Sequence, residues 1–135
     1  MTTRPLLIVL YVLGVVPVAT GLLAILGGPA AAPGGAPAVA SVDSEYRFVN
    51  TFWLAAGLIL WWSLRRAADR ALVTRTVLAI AAIGGIPRLV SLLVVGPPHP
   101  IFLGTLVLEL VIVPLVILWH SRVFPVRRAT VEAHE

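Results

Sequence analysis

The stretch GGIPRLVSLLVVGPPHP, residues 84–100, predicts the second half of an apolar helix that ends in a tight Gly/Pro turn. It also places Arg88 inside that helix, directly after Pro87. A second apolar segment follows the turn and carries Glu109. The stretch therefore predicts a helical hairpin with a positive charge on one arm and a negative charge on the other.

The composition indicates a membrane protein. Of the 135 residues, 59% are hydrophobic and only 12% are charged, whereas charged residues make up about a quarter of an ordinary soluble domain. The basic residues flank apolar runs and do not alternate with aromatic ones, so nucleic acid is not an expected partner. The chain has no cysteine, which excludes disulfides, thiolate catalysis and cysteine-bound metal.

Four apolar segments approach the roughly 20 residues that a helix needs to cross a bilayer. They run over about residues 6–26, 48–64, 76–95 and 101–119. The first apolar run exceeds the roughly 7–15 residues of the hydrophobic region of a signal peptide, so we expect it to be retained as a span. The sequence predicts an all-α integral membrane four-helix bundle over residues 1–122 and a cytoplasmic tail over residues 123–135. The connections are a Gly/Pro/Ala loop at 27–45, the segment RRAADRALVTR at 65–75, and the turn at 96–100.

The arginines predict the orientation of the chain. If it crosses four times, most of them fall on one side of the membrane, and Arg47 lies on the other side with Asp43, Glu45 and His99. Because positive charge is retained on the cytoplasmic side, both termini are predicted to be cytoplasmic. The arginines of that side are Arg4, Arg65, Arg66, Arg70, Arg75, Arg122, Arg127 and Arg128.

The two charges within the hairpin are predicted to pair. A lone charge near the bilayer centre costs several kcal/mol. Arg88 lies about ten residues before Pro98 and Glu109 about eleven after it, so at roughly 1.5 Å per residue both reach the same depth. We therefore expect an Arg88–Glu109 ion pair in the outer half of the membrane.

Further polar residues predict a pocket around this pair. Ser91 lies one turn beyond Arg88, and Thr105 lies one turn before Glu109. On the second span, Arg47, Asn50 and Thr51 follow i, i+3, i+4 spacing, and Glu45 lies at the outer boundary. The candidate ligand-binding residues are Glu45, Arg47, Asn50, Arg88, Ser91, Thr105 and Glu109.

Proline and glycine residues mark further irregular positions. Pro87 and Pro114 remove amide donors and free the carbonyls of the residues four positions earlier. Gly84 and Gly85 permit close approach of a second helix. Gly14, Pro17 and Gly21 share a face of the first helix, where we expect close packing.

Three interpretations of the Arg88–Glu109 pair stay open at this point: a purely structural ion pair, a pocket for a small anionic or amphipathic ligand, and proton or ion handling. The three histidines lack metal-ligand spacing, and no catalytic triad, P-loop or dinucleotide motif occurs. No metal, cofactor or enzymatic activity is therefore expected.

These residues together resemble the DUF4345 family of small bacterial membrane proteins. The resemblance covers about residues 5–120 and rests on Glu45, Arg47, Phe48, Gly84, Gly85, Arg88, Ser91, Gly96, Pro98 and Glu109. It implies a four-helix protein of the bacterial plasma (inner) membrane, with a more distant likeness in architecture to DoxX-like proteins. Pro87 departs from the small residue expected before the arginine.

Three functions are compatible with this pattern. The first is a non-enzymatic protein that binds a small ligand, a lipid or a membrane protein partner through the pocket. The second is an accessory, quinone-contacting subunit of a membrane oxidoreductase, as the DoxX-like architecture implies. The third is an oligomeric transporter of small solutes or ions, although no inverted repeat of broken helices supports it.

Overall fold

The computed structural model describes residues 3–125, and the regular structure within that range is helical. Helix α1 covers Thr3–Gly27, α2 covers Ala40–Leu64, α3 covers Ala71–Val94 and α4 covers Pro100–Val123. A short 3-10 turn, Pro29–Ala31, lies between α1 and α2. The prediction of an all-helical chain is confirmed over this range. Most of the predicted cytoplasmic tail, residues 126–135, lies outside it.

Three of the helices, α1, α3 and α4, are long and apolar enough to cross a membrane. Helix α2 is as long as α1, but its first half carries Arg47, Asn50 and Thr51. In a bilayer every backbone N–H and C=O must be paired within the chain, which an apolar helix achieves by itself. Helices α1, α3 and α4 thus have the length and the apolar character that the sequence predicted for membrane spans.

Helix α2 begins earlier than predicted. The last residues of the predicted loop, from Ala40 onward, already belong to the helix. Asp43 lies in its first turn, where a carboxylate interacts favourably with the helix dipole. Asp43 also pairs with Arg47 one turn later. These local interactions extend the helix into a segment whose composition suggested a loop.

Helices α1 and α2 pack antiparallel along their lengths through small residues. Gly14, Pro17 and Gly21 are all buried, which confirms the packing face predicted on α1. The indole of Trp61 lies directly over Gly14, and its Nε1 donates to the carbonyl of Tyr11 at 3.0 Å. A glycine is required at these contacts because a side chain would occupy the space of the neighbouring helix.

Helices α3 and α4 form the predicted antiparallel hairpin around the turn at 96–100. Gly85 lies against Leu110 and Glu109 of α4, and a Cβ at that glycine would come within 2.7 Å of Leu110 Cδ2. Within α4, residues Leu108–Ile112 form a π-helical segment. Pro114 lies two residues beyond it. The ring of a proline collides with the carbonyl four residues earlier in an α-helix, and a wider turn relieves that collision.

The hydrophobic core occupies one end of the molecule. It lies where the start of α1 meets the end of α2, the first half of α3 and the second half of α4. Its buried members are Leu6, Leu10, Leu60, Leu64, Leu78, Val113 and Val116. The opposite end, around the turn at 96–100, contributes none of these residues. The helices of the hairpin therefore have room for a cleft between them at that end.

Candidate functional site

Arg88 and Glu109 form an ion pair between α3 and α4. Arg88 Nε lies 3.0 Å from Glu109 Oε2. The Glu109 side chain is only 7% exposed, whereas that of Arg88 is 40% exposed. The predicted pairing is therefore confirmed, and the cation is the partner that reaches the surface.

The local backbone explains why Glu109 faces α3. Glu109 lies within the π-helical segment, whose wider turn changes the direction of its side chain relative to a regular α-helix. Gly85 lets this part of α4 approach α3 closely, since Glu109 Cβ lies 3.2 Å from where a Cβ of Gly85 would be. The glycine and the π turn together bring the carboxylate within reach of Arg88.

A cleft of about 210 Å³ lies beside the pair, near the turn that joins α3 and α4. Apart from Arg88 and Ser91, the residues that line it are apolar. The Arg88 guanidinium lies 5.7 Å from the centre of the Phe102 ring, within the range of a cation–π interaction. The lining residues are Arg88, Ser91, Leu92, Pro98, Phe102 and Leu106.

The hydrogen-bonding capacity of this site is only partly used. Across residues 3–125, no group accepts a hydrogen bond from Nη1 or Nη2 of Arg88, and Glu109 Oε2 is buried without a donor in hydrogen-bond geometry. The short Arg88–Glu109 contact is therefore held by charge and not by a well-directed hydrogen bond. Buried polar atoms are normally satisfied by the protein or by ordered water. The site thus offers free donors at the edge of an apolar cleft.

The polar residues of α2 form a separate group. Arg47 donates from Nε to Asp43 Oδ2 at 2.7 Å, and from Nη1 to the carbonyls of Ile25 and Leu26 at 2.5 and 3.1 Å. These carbonyls belong to the last turn of α1, which lacks partners of its own. Arg47 therefore ties the end of α1 to the start of α2. The same guanidinium, chiefly by hydrogen bonding, holds the pKa of the Asp43 carboxyl below its usual range.

Three other candidate residues are not brought to the cleft. Glu45 is exposed on α2. Asn50 Nδ2 donates to the carbonyl of Tyr46 at 2.7 Å, and Thr105 Oγ1 donates to that of Phe102 at 2.9 Å. Each of the last two hydrogen bonds lies within one helix. The structure therefore joins Arg88, Ser91 and Glu109 at one site, and it places Glu45, Arg47 and Asn50 with α1 and α2.

A second polar cluster, which the sequence analysis missed, lies at the core end of α3 and α4. His120 is fully buried, and its Nδ1 accepts from Arg75 Nε at 3.3 Å. Arg75 also donates to the carbonyl of Phe124. Arg75 and His120 are displaced from Arg88 and Glu109 by similar lengths along the two helices, so their equal depth was a signal in the sequence that could have found this pair. Its role is to fasten the end of α4 to α3.

No metal site is formed by the part of the chain that the structure describes. Within it, no three of the histidine and acidic side chains come together in a group that could hold an ion. The residues at the Arg88 cleft can supply hydrogen bonds, a charge and apolar contacts.

A sequence model of a family described as a domain of unknown function, DUF4345, matches residues 5–120. The chain belongs to the DUF4345 family. The matched range includes nearly all of the four helices and both members of the Arg88–Glu109 pair. The resemblance inferred from the sequence motifs is thereby confirmed. No curated protein and no solved structure matches this DUF4345 chain.

Proposed function

We propose that this DUF4345 protein is a multi-pass protein of the bacterial plasma membrane that binds a small molecule or a lipid in the cleft beside Arg88. In this proposal its helices form a four-helix bundle in the bilayer, with both termini in the cytoplasm. Its function is binding and not catalysis. The apolar character of α1, α3 and α4 supports the membrane location.

The position of Arg88 is the observation that carries the proposal. A charge at this place in an apolar hairpin is costly and is commonly functional. Arg88 lines the cleft with apolar residues, and its two terminal nitrogens are free of hydrogen bonds to residues 3–125. Ligand sites have this character: an apolar lining with a few polar groups that fix the orientation of the ligand.

A purely structural role for the pair fits the geometry less well. A buried ion pair stabilises a fold only when its geometry is good and its remaining polar atoms are hydrogen-bonded. Here Glu109 Oε2 lacks a donor in hydrogen-bond geometry, and Arg88 is 40% exposed at the cleft. The exposed guanidinium, with its unused terminal donors, favours a site in which Arg88 binds a further molecule.

Native mass spectrometry of the protein, extracted in a mild detergent, tests the proposal. The wild-type chain should retain a small molecule or lipid, and Arg88→Ala should retain at most a tenth as much. Leu106→Trp places a larger side chain at the cleft and keeps both charged residues, so it should have the same effect. Arg122→Ala is the matched control, since Arg122 is an exposed arginine at the far end of α4. Equal retention by all four proteins would contradict the proposal.

A further inference from the structure

The charges around the cleft restrict which kind of molecule it can take. This restriction on the ligand rests on the proposed function, because it applies only if the cleft binds one. Arg88 lines the cleft, and its partner Glu109, whose Oε2 lies 3.0 Å from Arg88 Nε, carries the opposite charge. Among residues 3–125, no further charged side chain lines the cleft. The site is therefore electrically neutral before a ligand enters.

We infer that the ligand is an uncharged molecule with an apolar body and an oxygen that accepts hydrogen bonds, such as a ketone, ester or amide. An anion would bring a second negative charge beside a carboxylate that is only 7% exposed. Two like charges that share a poorly solvated site repel each other strongly. A neutral acceptor uses the same donors and leaves the charge balance unchanged.

The donors at the cleft suit such an oxygen. Arg88 presents Nη1 and Nη2, whose hydrogens no residue in the described range accepts. Ser91, one turn further along α3, also lines the cleft and contributes a hydroxyl that can donate or accept. A carbonyl oxygen has two lone pairs, so it can accept from both residues at once.

The other lining residues determine the size and apolar character of the part of the ligand that enters the cleft. Leu92, Pro98 and Leu106 present aliphatic surface, and Phe102 presents a ring. The cleft volume of about 210 Å³ is roughly seven times the ~30 Å³ that one water molecule occupies in the liquid. A single ring or a short chain therefore fits within the cleft, and the remainder of a longer molecule extends out of it.

Two probes of the same shape and different charge test this inference. Benzylacetone is an uncharged ketone, and hydrocinnamate is the carboxylate in which an oxygen replaces the methyl group. Binding is measured by saturation-transfer NMR at neutral pH with the full-length protein in lipid nanodiscs, and empty nanodiscs provide the blank for partitioning into lipid. For the wild-type protein, we expect benzylacetone to bind at least tenfold more tightly than hydrocinnamate.

Two variants distinguish an effect of the site's charge on binding from an effect of misfolding. Glu109→Gln keeps the shape of the side chain and leaves the site with a net positive charge, so hydrocinnamate binding should increase at least tenfold. The double variant Arg88→Met/Glu109→Met removes both charges together and leaves no unpaired buried charge. It should fold and lose benzylacetone binding, whereas Arg122→Met should bind as the wild type does.

The outcomes distinguish this inference from the proposed function. If hydrocinnamate binds the wild-type protein as tightly as benzylacetone, and this binding depends on Arg88, the inference is overturned and the proposed function stands. If neither probe binds in a way that depends on Arg88, the inference is overturned, and the proposed function is decided by the retention experiment on the wild type, Arg88→Ala and Leu106→Trp. Tighter binding of benzylacetone, together with the change in preference in Glu109→Gln, supports the inference.

Discussion

The loss of stability on breaking the Arg88–Glu109 pair depends on which partner is removed. Glu109 is almost fully buried, whereas Arg88 reaches the cleft. Removal of one partner of a fully buried pair costs roughly 3–5 kcal/mol, because the other charge is left uncompensated. Exposure of Arg88 lowers this figure, since solvent screens the pair. Loss of the arginine should therefore be more damaging than loss of the glutamate.

A double-mutant cycle measures the interaction directly. Arg88→Met should lower the free energy of unfolding more than Glu109→Met does, and the double variant should lose clearly less than the sum of the two. The measurement is the unfolding midpoint in detergent micelles. The matched cycle of Glu109→Met with Arg122→Met should be additive, because distant residues act independently. Additive losses in the Arg88–Glu109 cycle would exclude a direct interaction.

The Asp43–Arg47 pair at the start of α2 should make the stability of the protein depend on pH. It accepts hydrogen bonds from Arg47 at 2.7 and 3.1 Å, which hold its pKa below the usual value. The folded state therefore binds this proton less readily than the unfolded state. The stabilisation is present above the unfolded pKa of about 4 and is lost as the pH falls through the lower folded pKa.

Comparison of the wild-type protein with Asp43→Asn tests this effect. The thermal unfolding midpoint of the wild type should fall on acidification below about pH 4, and the variant should show less of this fall because it lacks the titrating group. Other carboxylates titrate in both proteins and cancel in the difference. Parallel pH profiles would show that the Asp43–Arg47 pair adds no stability.

At the scale of helices, the features that depend on local sequence patterns could be predicted. The hairpin of α3 and α4, the turn at 96–100 and the equal depth of Arg88 and Glu109 followed from hydropathy and spacing along the chain. The π-helical segment at Leu108–Ile112 did not. Pro114 indicates that the helix is disturbed, but the form of the disturbance depends on how closely α4 packs against Gly85. That contact is a property of two helices and not of one segment.

The α1–α2 contact can be tested at a glycine. A Cβ on Gly21 would lie 2.9 Å from the backbone nitrogen of Leu54 and 3.0 Å from its Cα, so the helices would have to separate. Gly21→Ala should lower the free energy of unfolding by about 1–3 kcal/mol, the usual cost of overpacking. Gly84→Ala is the control, because a Cβ on Gly84 meets nothing within 4 Å.

The control should be neutral or stabilising, since alanine favours a helix by up to about 1 kcal/mol over glycine. Both variants are measured by unfolding in the same detergent. Equal effects of the two alanines would show that α1 and α2 are not held together by close backbone contact at Gly21.

At the scale of the whole molecule, the candidate site was predicted only in part. Arg88, Ser91 and Glu109 were found because polar residues are conspicuous in an apolar hairpin. Phe102 and Leu106 line the same cleft but carry no signal in a segment where almost every residue is apolar. Asn50 was assigned to the same pocket from its helical spacing with Arg47, yet spacing along one helix does not specify which neighbouring helix that face meets. Helix α2 instead turns its polar first half towards α1.

The arrangement of the connections predicts how the chain lies in the membrane. The α1–α2 loop reaches the turn between α3 and α4, since a Cβ at Gly34 would lie 3.3 Å from His99 Cβ. The α2–α3 connection lies at the other end, beside the core. Positive-inside counting assigns this arginine-rich end to the cytoplasm, and the loop that contains Gly34 to the outside.

Single introduced cysteines test this orientation without background labelling, because the chain has no cysteine of its own. Ala36→Cys lies at an exposed position of the α1–α2 loop, and Asp69→Cys at an exposed position of the α2–α3 connection. In intact cells a membrane-impermeant maleimide should label Ala36→Cys, and it should label Asp69→Cys only after the membrane is permeabilised. Thr3→Cys should behave like Asp69→Cys, because an even number of crossings returns the chain to the same side. Labelling of Asp69→Cys in intact cells, with protection of Ala36→Cys, would reverse the orientation and place the Arg88 cleft near the cytoplasmic surface.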